Sequence, residues 1–463
     1  MRLSAFNRYV PGYPAAGQTL IHNGFSGGFV VVDAATRAAL DRMDTGDPLD
    51  EQQRGLIDPG YLDEDVGVVV ASREAEEQAF RGWYQGWRSA RERLSVLIST
   101  TFACNLRCSY CFQPAGPPPT LSAELGAATA AWIAHRAAAI GASSIRLQLT
   151  GGEPLLHPER VEQIVAGVRA LAPACEVTFG LITNGVLLDR RLVQSWVGLG
   201  LTGIQVTLDG DQRTHSLTRR GPGGADTFAR SFAGAVGVSD LVQVSVRGNY
   251  RPDTAHGFPP LVEQLRRAGL PAGSRVQFLP ALAGMGAPPE SAQACTWEGS
   301  SPEIRIALAD VVLRAGFDPG PLGSLGPCGL HQHHSLAIDP RGHIYKCAGF
   351  LGHPEWAVGD VATGLSPRYD EMCAIDPLAA CGDCAHRPAC GGGCLASAWL
   401  ATGRPAGVSC EAGYFDRHGD DICTRDYAVA AAEGGDELLA LLPPSLELLH
   451  SNHLTDGGDS CAL

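Results

Sequence analysis

Lysine is almost absent from this chain of 463 residues: of 35 basic side chains only Lys346 is a lysine. The arginines never form blocks longer than two, and the net charge is −14. The basic footprint of a nucleic-acid-binding protein is therefore missing. Long hydrophobic runs are missing too. The richest stretch, Ala127 to Ile140, contains His135 and Arg136, which excludes a spanning helix and a membrane partner. Residues Met1 to Arg8 lack the apolar core of a secretory signal, so the expected location is the cytoplasm. Charged residues are scarce at 18%, but hydrophobic ones reach 45%, which rules out disorder for most of the length. The length fits about three domains. The excess of glycine, proline and alanine over lysine reads as codon bias and carries no function.

What is abundant is cysteine, with 15 residues. A cytosolic chain does not keep so many as disulfides, so metal binding, redox work or burial must account for them. They cluster. Cys104, Cys108 and Cys111 stand in a C-x3-C-x2-C loop, and eight more crowd between Cys328 and Cys410. Grouped thiolates on a loop suit zinc or an iron–sulfur cluster. A structural zinc wants four closed ligands, whereas three thiolates on a cubane leave one iron free for an exchangeable ligand. Cys175, Cys295 and Cys461 read as buried or unconstrained thiols.

Between residues 91 and 285, β-rich runs alternate with amphipathic helical runs. Strands are expected at Ser95–Ser99, Ser144–Thr150, Glu176–Thr183, Gly203–Leu208, Val242–Asn249 and Arg275–Leu279. Such alternation implies βαβ units and a parallel sheet, with chemistry gathered at the carboxyl ends of the strands. Residues 1–90 read as a small α+β module: a hairpin of Thr19–His22 with Gly28–Val32, a helix at Ala34–Arg42, and a charged helix from Arg73 to Leu94. Residues 286–325 read as a linker with a bridging helix at Pro302–Ala315. Residues 326–425 form the cysteine-rich region. Residues 426–463 read as a tail, with a helix at Ala428–Leu442 and a loose end from Ser451 to Leu463.

The three-cysteine loop after a first strand, with Tyr110 before its last cysteine, resembles the radical S-adenosylmethionine (SAM) enzymes. Thr150-Gly151-Gly152-Glu153-Pro154 is similar to the family's Gly-Gly-Glu-Pro segment. Two glycines let backbone approach a ligand, and a carboxylate pairs with an ammonium. Thr183-Asn184-Gly185 resembles its third-strand turn. Thr207-Leu208-Asp209-Gly210, with His215 and Arg219 beyond it, resembles the stretch found in its peptide-modifying members, and Asn249 falls on the matching fifth strand. The resemblance implies a partial (β/α)6 barrel and a [4Fe–4S] cluster on Cys104, Cys108 and Cys111. It implies SAM contacts from Tyr110, Gly151, Gly152, Glu153, Asn184, Thr207, Asp209, Arg219 and Asn249. Glu153 would take the amino group and Arg219 the carboxylate. The reading that competes for Arg219 is a solvated surface arginine beside Arg220.

Farther on, Cys328, Gly342 and Cys347 precede Cys381-x2-Cys384-x5-Cys390-x3-Cys394, with Cys410 fifteen residues later. This pattern resembles the SPASM domain, which carries two auxiliary [4Fe–4S] clusters. The resemblance implies that Cys381, Cys384, Cys390 and Cys410 hold one cluster, and Cys328, Cys347 and Cys394 the other. The second set is one ligand short; Cys373, Cys423, water or a substrate group are the candidates. His331, His333 and His334 suit hydrogen bonds to cluster sulfurs or plain surface better than metal ligation.

SPASM-bearing radical SAM enzymes mostly modify peptides. The resemblance therefore implies a maturase of a ribosomally synthesised precursor peptide, which installs a cross-link or similar oxidation and is fed by a low-potential donor such as flavodoxin or ferredoxin. In sulfatase maturases an aspartate base follows the cysteine corresponding to Cys347. Ala348 stands there in this chain, so formylglycine formation is the lesser reading. A non-catalytic electron-transfer protein with three clusters is a third. Residues 1–90 offer a place for a leader peptide to add a strand. Lys346 and Tyr345 suit a structural role better than a proton relay.

Overall fold

The computed structural model describes residues 1–63, 65–111, 117–281, 301–323, 327–394, 396–398 and 410–443. Its centre is one sheet of ten strands. The N-terminal part has a three-stranded antiparallel sheet, β1 (Asn7–Pro11), β2 (Gln18–Asn23) and β3 (Phe29–Asp33), followed by helix α1 (Ala34–Thr45). The Asp33 side chain accepts from Thr36 N–H and caps α1. Helix α2 (Arg73–Ser89) then leads to the central sheet.

Six parallel strands follow: β4 (Arg93–Ser99), β5 (Ser144–Thr150), β6 (Glu176–Thr183), β7 (Leu201–Thr207), β8 (Gln243–Tyr250) and β9 (Val276–Pro280). Helices α3 (Ala123–Ile140), α4 (Pro158–Leu171), α5 (Arg190–Leu199), α6 (Gln212–Thr218), α7 (Phe228–Gly237) and α8 (Phe258–Arg267) connect them. Strand periodicity explains the layering. Ile145, Leu147 and Leu149 of β5, with Val177, Phe179 and Leu181 of β6, are buried in the same core as Val161, Ile164, Val165 and Val168 of α4. The opposite face carries Gln148, Gly180, Gln205, Ser245 and Arg247, and so is polar. Spatial order follows chain order from β4 to β9, giving the expected α/β architecture with a partial barrel.

Beyond β4 the sheet continues. β10 (Ser335–Ile338) pairs in parallel with β4, from Ser335 opposite Ser95 to Ile338 opposite Ile98. Antiparallel strands β11 (His343–Tyr345), β12 (Gly359–Asp360) and β13 (Gly364–Leu365) complete it. The cysteine-rich region is thus sewn to the barrel's first strand.

Two helix expectations need correction. The charged helix ends at Ser89, not Leu94, because Ala90 turns extended and Leu94, Val96 and Ile98 alternate into the core. The tail helix begins much earlier, as α10 (Ala412–Ala431), and a separate short helix covers Gly435–Leu441. The break falls where Ala432 and Gly434 turn extended, and glycine's low helix propensity suits Gly434 to it. The stretch from Ser451 onward, Cys295 and Cys461 lie outside the described residues.

Helix α9 (Pro302–Arg314), in the expected bridging position, is tied to α10 by polar groups in an apolar setting. Arg425 grips Asp310 with two bonds, Nε to Oδ1 at 2.5 Å and Nη2 to Oδ2 at 2.7 Å, and both side chains are 1% exposed. Removing one partner of such a pair strands a buried charge. Asp310→Ala should cost about 3–5 kcal/mol in chemical denaturation, and the double replacement Asp310→Leu with Arg425→Met should recover most of that loss.

Candidate active site at the carboxyl ends of the strands

Strand β4 runs straight into the first cysteine loop. Two backbone bonds bring the turn after β5 against it: Gly152 N–H donates to Thr101 O at 2.6 Å, and Glu153 N–H to Ala103 O at 2.9 Å. A Cβ on Gly152 would lie 2.3 Å from Ala103 O, and one on Gly151 2.4 Å from Thr101 O. Only glycine permits this approach. Glu153 is then fully buried, and its Oε1 accepts from Leu155 N–H and Thr183 Oγ1–H while Oε2 accepts from Asn184 N–H at 2.8 Å. Asn184 reaches Asn105 Oδ1 at 2.7 Å and lies 3.8 Å from Cys104 Sγ.

The opposite wall comes from β7. Asp209 Oδ1 accepts from Asn249 N–H at 2.9 Å, and Oδ2 accepts from Thr218 Oγ1–H and from the Tyr110 hydroxyl. Arg219 Nη1 donates to that hydroxyl at 2.6 Å, and Asn249 Nδ2 lies 3.2 Å from it. A two-residue antiparallel bridge sets Arg219 opposite Cys108. Arg219 is therefore buried, at 8% exposure, and its neighbour Arg220 is exposed. Thr207 ends β7 beside this network, also buried. The structure thus gathers Tyr110, Gly151, Gly152, Glu153, Asn184, Thr207, Asp209, Arg219 and Asn249 around the loop of Cys104, Cys108 and Cys111. Thr183, Thr218 and Asn105 join them. The sequence shows Thr183 only as part of the third-strand turn and gives Thr218 and Asn105 no role, because short polar residues after a strand read as turn chemistry.

The electrostatics fit a zwitterionic ligand beside a metal cluster. Burial raises the pKa of Glu153 although three donors and the charge of Arg219 oppose it, so a cation nearby would lower the cost of its charge. Arg219 Nε is buried with no acceptor among the described residues. Burial lifts the Cys104 thiol and pushes that of Cys108 to about 11, with the other loop thiols adding to the rise. Metal ligation would deprotonate such thiols outright. Among the described residues no three His, Cys, Asp or Glu side chains converge tightly enough to enclose a single ion.

The C-terminal thiols fall into two loose groups. Cys347, pushed to about 12 chiefly by burial, feels the charges of Cys328 and Cys394. Cys381 feels those of Cys384 and Cys410, and Cys390 that of Cys381. Cys423 stands apart: it is buried with Val10 and Leu20, and the charged groups it feels are Asp426, Arg8 and Asp420. Cys373 lies with Tyr369 and Lys346, and Lys346 feels both Cys373 and Cys328. Lys346 itself, 3% exposed, donates to the carbonyl oxygens of Gln332, His333 and Ser335. All three N–H donors are spent on pinning the turn after Cys328. His331 and His334 are buried on that turn.

The chain is similar to several known proteins. Residues 98–235 match the model of the Radical SAM superfamily. Over 127 residues the chain is 40% identical to the GTP 3',8-cyclase of Chlorobaculum tepidum, covering 27% of this chain and 36% of the cyclase. It thus spans about a third of such relatives' length. Mycofactocin maturase MftC of Mycobacterium tuberculosis is 25% identical over 326 residues, covering 66% of this chain and 78% of that protein. Among solved structures, anSMEcpe with bound AdoMet and a Kp18Cys peptide superposes with a TM-score of 0.57 at 17% identity, over 72% of this chain and 99% of that one. Streptococcus suis SuiB bound to precursor peptide SuiA gives 0.50 at 13% identity, over 89% and 99%. Among the described residues no helix is long and apolar enough to cross a membrane.

His215 supports the Asp209 wall. Its Nδ1 accepts from Asp209 N–H at 3.3 Å, and its Nε2 faces Thr227 Oγ1 at 3.2 Å. Burial, then Arg219, pushes its pKa from 6.5 to about 3. The folded state holds this proton less readily than the unfolded state. Its contribution to stability is therefore complete above pH 6.5 and drains as pH falls toward 3, at about 1.4 kcal/mol per pH unit. Thermal melts should show wild type losing about 2 kcal/mol relative to His215→Gln between pH 6.5 and 5. Parallel curves would remove His215 as the source.

Proposed function

We propose that this chain, whose residues 98–235 match the model of the Radical SAM superfamily, is a peptide maturase that binds SAM at the mouth of its partial barrel. The observation that carries the reading is the convergence of the Cys104–Cys111 loop, Glu153, Asn184, Asp209 and Arg219 on one end of the sheet. In this reading Cys104, Cys108 and Cys111 ligate a [4Fe–4S] cluster. When bound, cluster and SAM supply one-electron cleavage of the sulfonium S–C5′ bond and a carbon radical able to take hydrogen from an unactivated C–H bond. The chain's residues bind and orient. Glu153 takes the cofactor's amine and Arg219 its carboxylate, with Tyr110, Asp209 and Asn249 holding Arg219 in place. Gly151 and Gly152 give the backbone its close approach.

Two auxiliary [4Fe–4S] clusters complete the proposal. Cys381, Cys384, Cys390 and Cys410 hold one. Cys328, Cys347 and Cys394 hold the other, whose fourth position stays open to solvent, substrate or Cys373. The burial of Cys423 beside β1 and β2 argues against it as that ligand. The clusters offer electrons an exit after hydrogen removal, and the reductant is a flavodoxin or ferredoxin. Peptide rather than small-molecule chemistry is favoured because the similarity to MftC extends well beyond the 98–235 segment. Formylglycine formation is disfavoured by Ala348. Pure electron transfer is disfavoured because it has no use for Glu153 and the two close-packed glycines.

Anaerobic reconstitution should yield about twelve irons per chain and 5′-deoxyadenosine from SAM under dithionite. Replacing Cys104, Cys108 and Cys111 together with Ala should leave about eight irons and abolish cleavage. Iron without cleavage in the unaltered chain would move the reading to electron transfer, and zinc without iron would overturn it.

The leader of the precursor peptide is proposed to add a strand to β3, an outer strand of the N-terminal sheet that packs on α10 through Phe29 and Tyr427 and pairs with a strand on one side only among the described residues. Val31→Pro, which removes an edge N–H, should weaken leader binding tenfold or more in fluorescence anisotropy. Unchanged affinity would place the leader elsewhere.

A further inference from the structure

Helix α2 presents one stripe of side chains, Glu77, Phe80, Tyr84 and Arg88, at helical spacing. The stripe does not face the N-terminal sheet alone. Arg88, 5% exposed, donates from Nη2 to Cys373 O at 2.9 Å and to Ile375 O, and from Nε to His331 O. Glu77 receives both outer nitrogens of Arg387, at 2.9 and 2.7 Å, while Arg387 Nε donates to Cys384 O at 3.1 Å. Phe80 packs in one apolar cluster with Phe6, Tyr84, Leu378 and Cys381.

Tyr84 stands at the meeting point. It is 1% exposed, and its hydroxyl lies 2.9 Å from His331 Nδ1 and 3.1 Å from Gly391 O. His331 belongs to the turn closed by its own N–H on Cys328 O at 2.8 Å. Gly391 opens the glycine run between Cys390 and Cys394. One hydroxyl therefore ties the turn after Cys328, which belongs to one thiol group, to the loop after Cys390, which belongs to the other, and both Cys328 and Cys381 lie within its electrostatic reach. His331 Nε2 is buried with no partner among the described residues, on a side chain 2% exposed. Hydrogen bonds near cluster sulfurs and the local dielectric are what set the potential of an iron–sulfur centre.

We propose that Tyr84 is a positioning residue shared by both auxiliary centres, fixing the Cys328 turn and the Cys390–Cys394 loop in one arrangement and so tuning the reduction potentials of the clusters. The proposal rests on the two-auxiliary-cluster reading above. It makes α2, a helix of the N-terminal third, a structural part of the C-terminal metal region. It also means that trimming residues 1–85 would damage that region, so a truncation cannot isolate leader binding.

The test uses the reconstituted full-length chain, with iron analysis and potentiometric titration followed by electron paramagnetic resonance. Tyr84→Phe keeps the ring and removes the hydroxyl. It should retain the wild-type iron content and leave the signal of the Cys104–Cys111 cluster in place, while shifting the midpoint potential of at least one auxiliary cluster beyond the scatter of repeated wild-type titrations. Gln85→Ala, on the exposed face of the same helix, should shift nothing. If Tyr84→Phe misfolds, His331→Gln, which removes the hydroxyl's partner, should give the same shift. Three clusters with unmoved potentials in the altered chains would overturn the role of Tyr84 alone. A wild-type chain holding the iron of one cluster would overturn the auxiliary-cluster reading, and this proposal with it.

Discussion

Strand β4 is hydrogen-bonded on both sides, to β5 and to β10, and everything chemical in the molecule hangs from that double pairing. Its carboxyl end launches the cysteine loop, and the pairing with β5 brings the Gly151-Gly152 turn against that loop. On its other flank β10 begins just after the Cys328 turn, and β11 ends just before Cys347. Backbone hydrogen bonds fix register strictly wherever one face is buried, because a one-residue slip would turn Val96 and Ile98 out of the core. The barrel mouth and the first C-terminal thiol group are therefore held on one rigid frame.

Charge inside that frame is managed by pairing and by backbone donors. Glu153 and Asp209 each lie among three donors, and Arg219 is held against a tyrosine hydroxyl with Asp209 4.0 Å away. Each would be costly if left alone in such burial. The arrangement keeps opposite charges on the two walls of the mouth, Glu153 on one and Arg219 on the other, which suits a ligand carrying an amine and a carboxylate.

The alternation of strands and helices from residue 91 to 280 was legible because amphipathic periods are local: Ser144–Thr150 and Glu176–Thr183 fall where their patterns put them. The mouth residues were legible because their spacing resembles a known family. The continuation of the sheet through β10 was not. Ser335–Ile338 is a four-residue segment in a cysteine-dense region, and only its pairing with a strand some 240 residues earlier makes it a strand. Helix α10 hid for a similar reason. Gly413, Gly419 and its aspartates dilute the helical signal, and burial of Tyr414, Phe415 and Ile422 against α9 supplies what propensity lacks. Tyr84 was unreadable, since an aromatic in a charged helix gives no sign of which distant loops it will touch.

The solitary lysine gives the molecule an unusual chemical handle. Its ammonium is buried and fully engaged by the three carbonyls of the 332–335 turn. An amine is acylated only when free and unprotonated, so in the folded chain Lys346 is shielded until that turn lifts away. With no other lysine side chain present, acylation located at Lys346 by peptide mass, apart from that of the N-terminal amine and the thiols, is a clock for the breathing of one loop beside one thiol group.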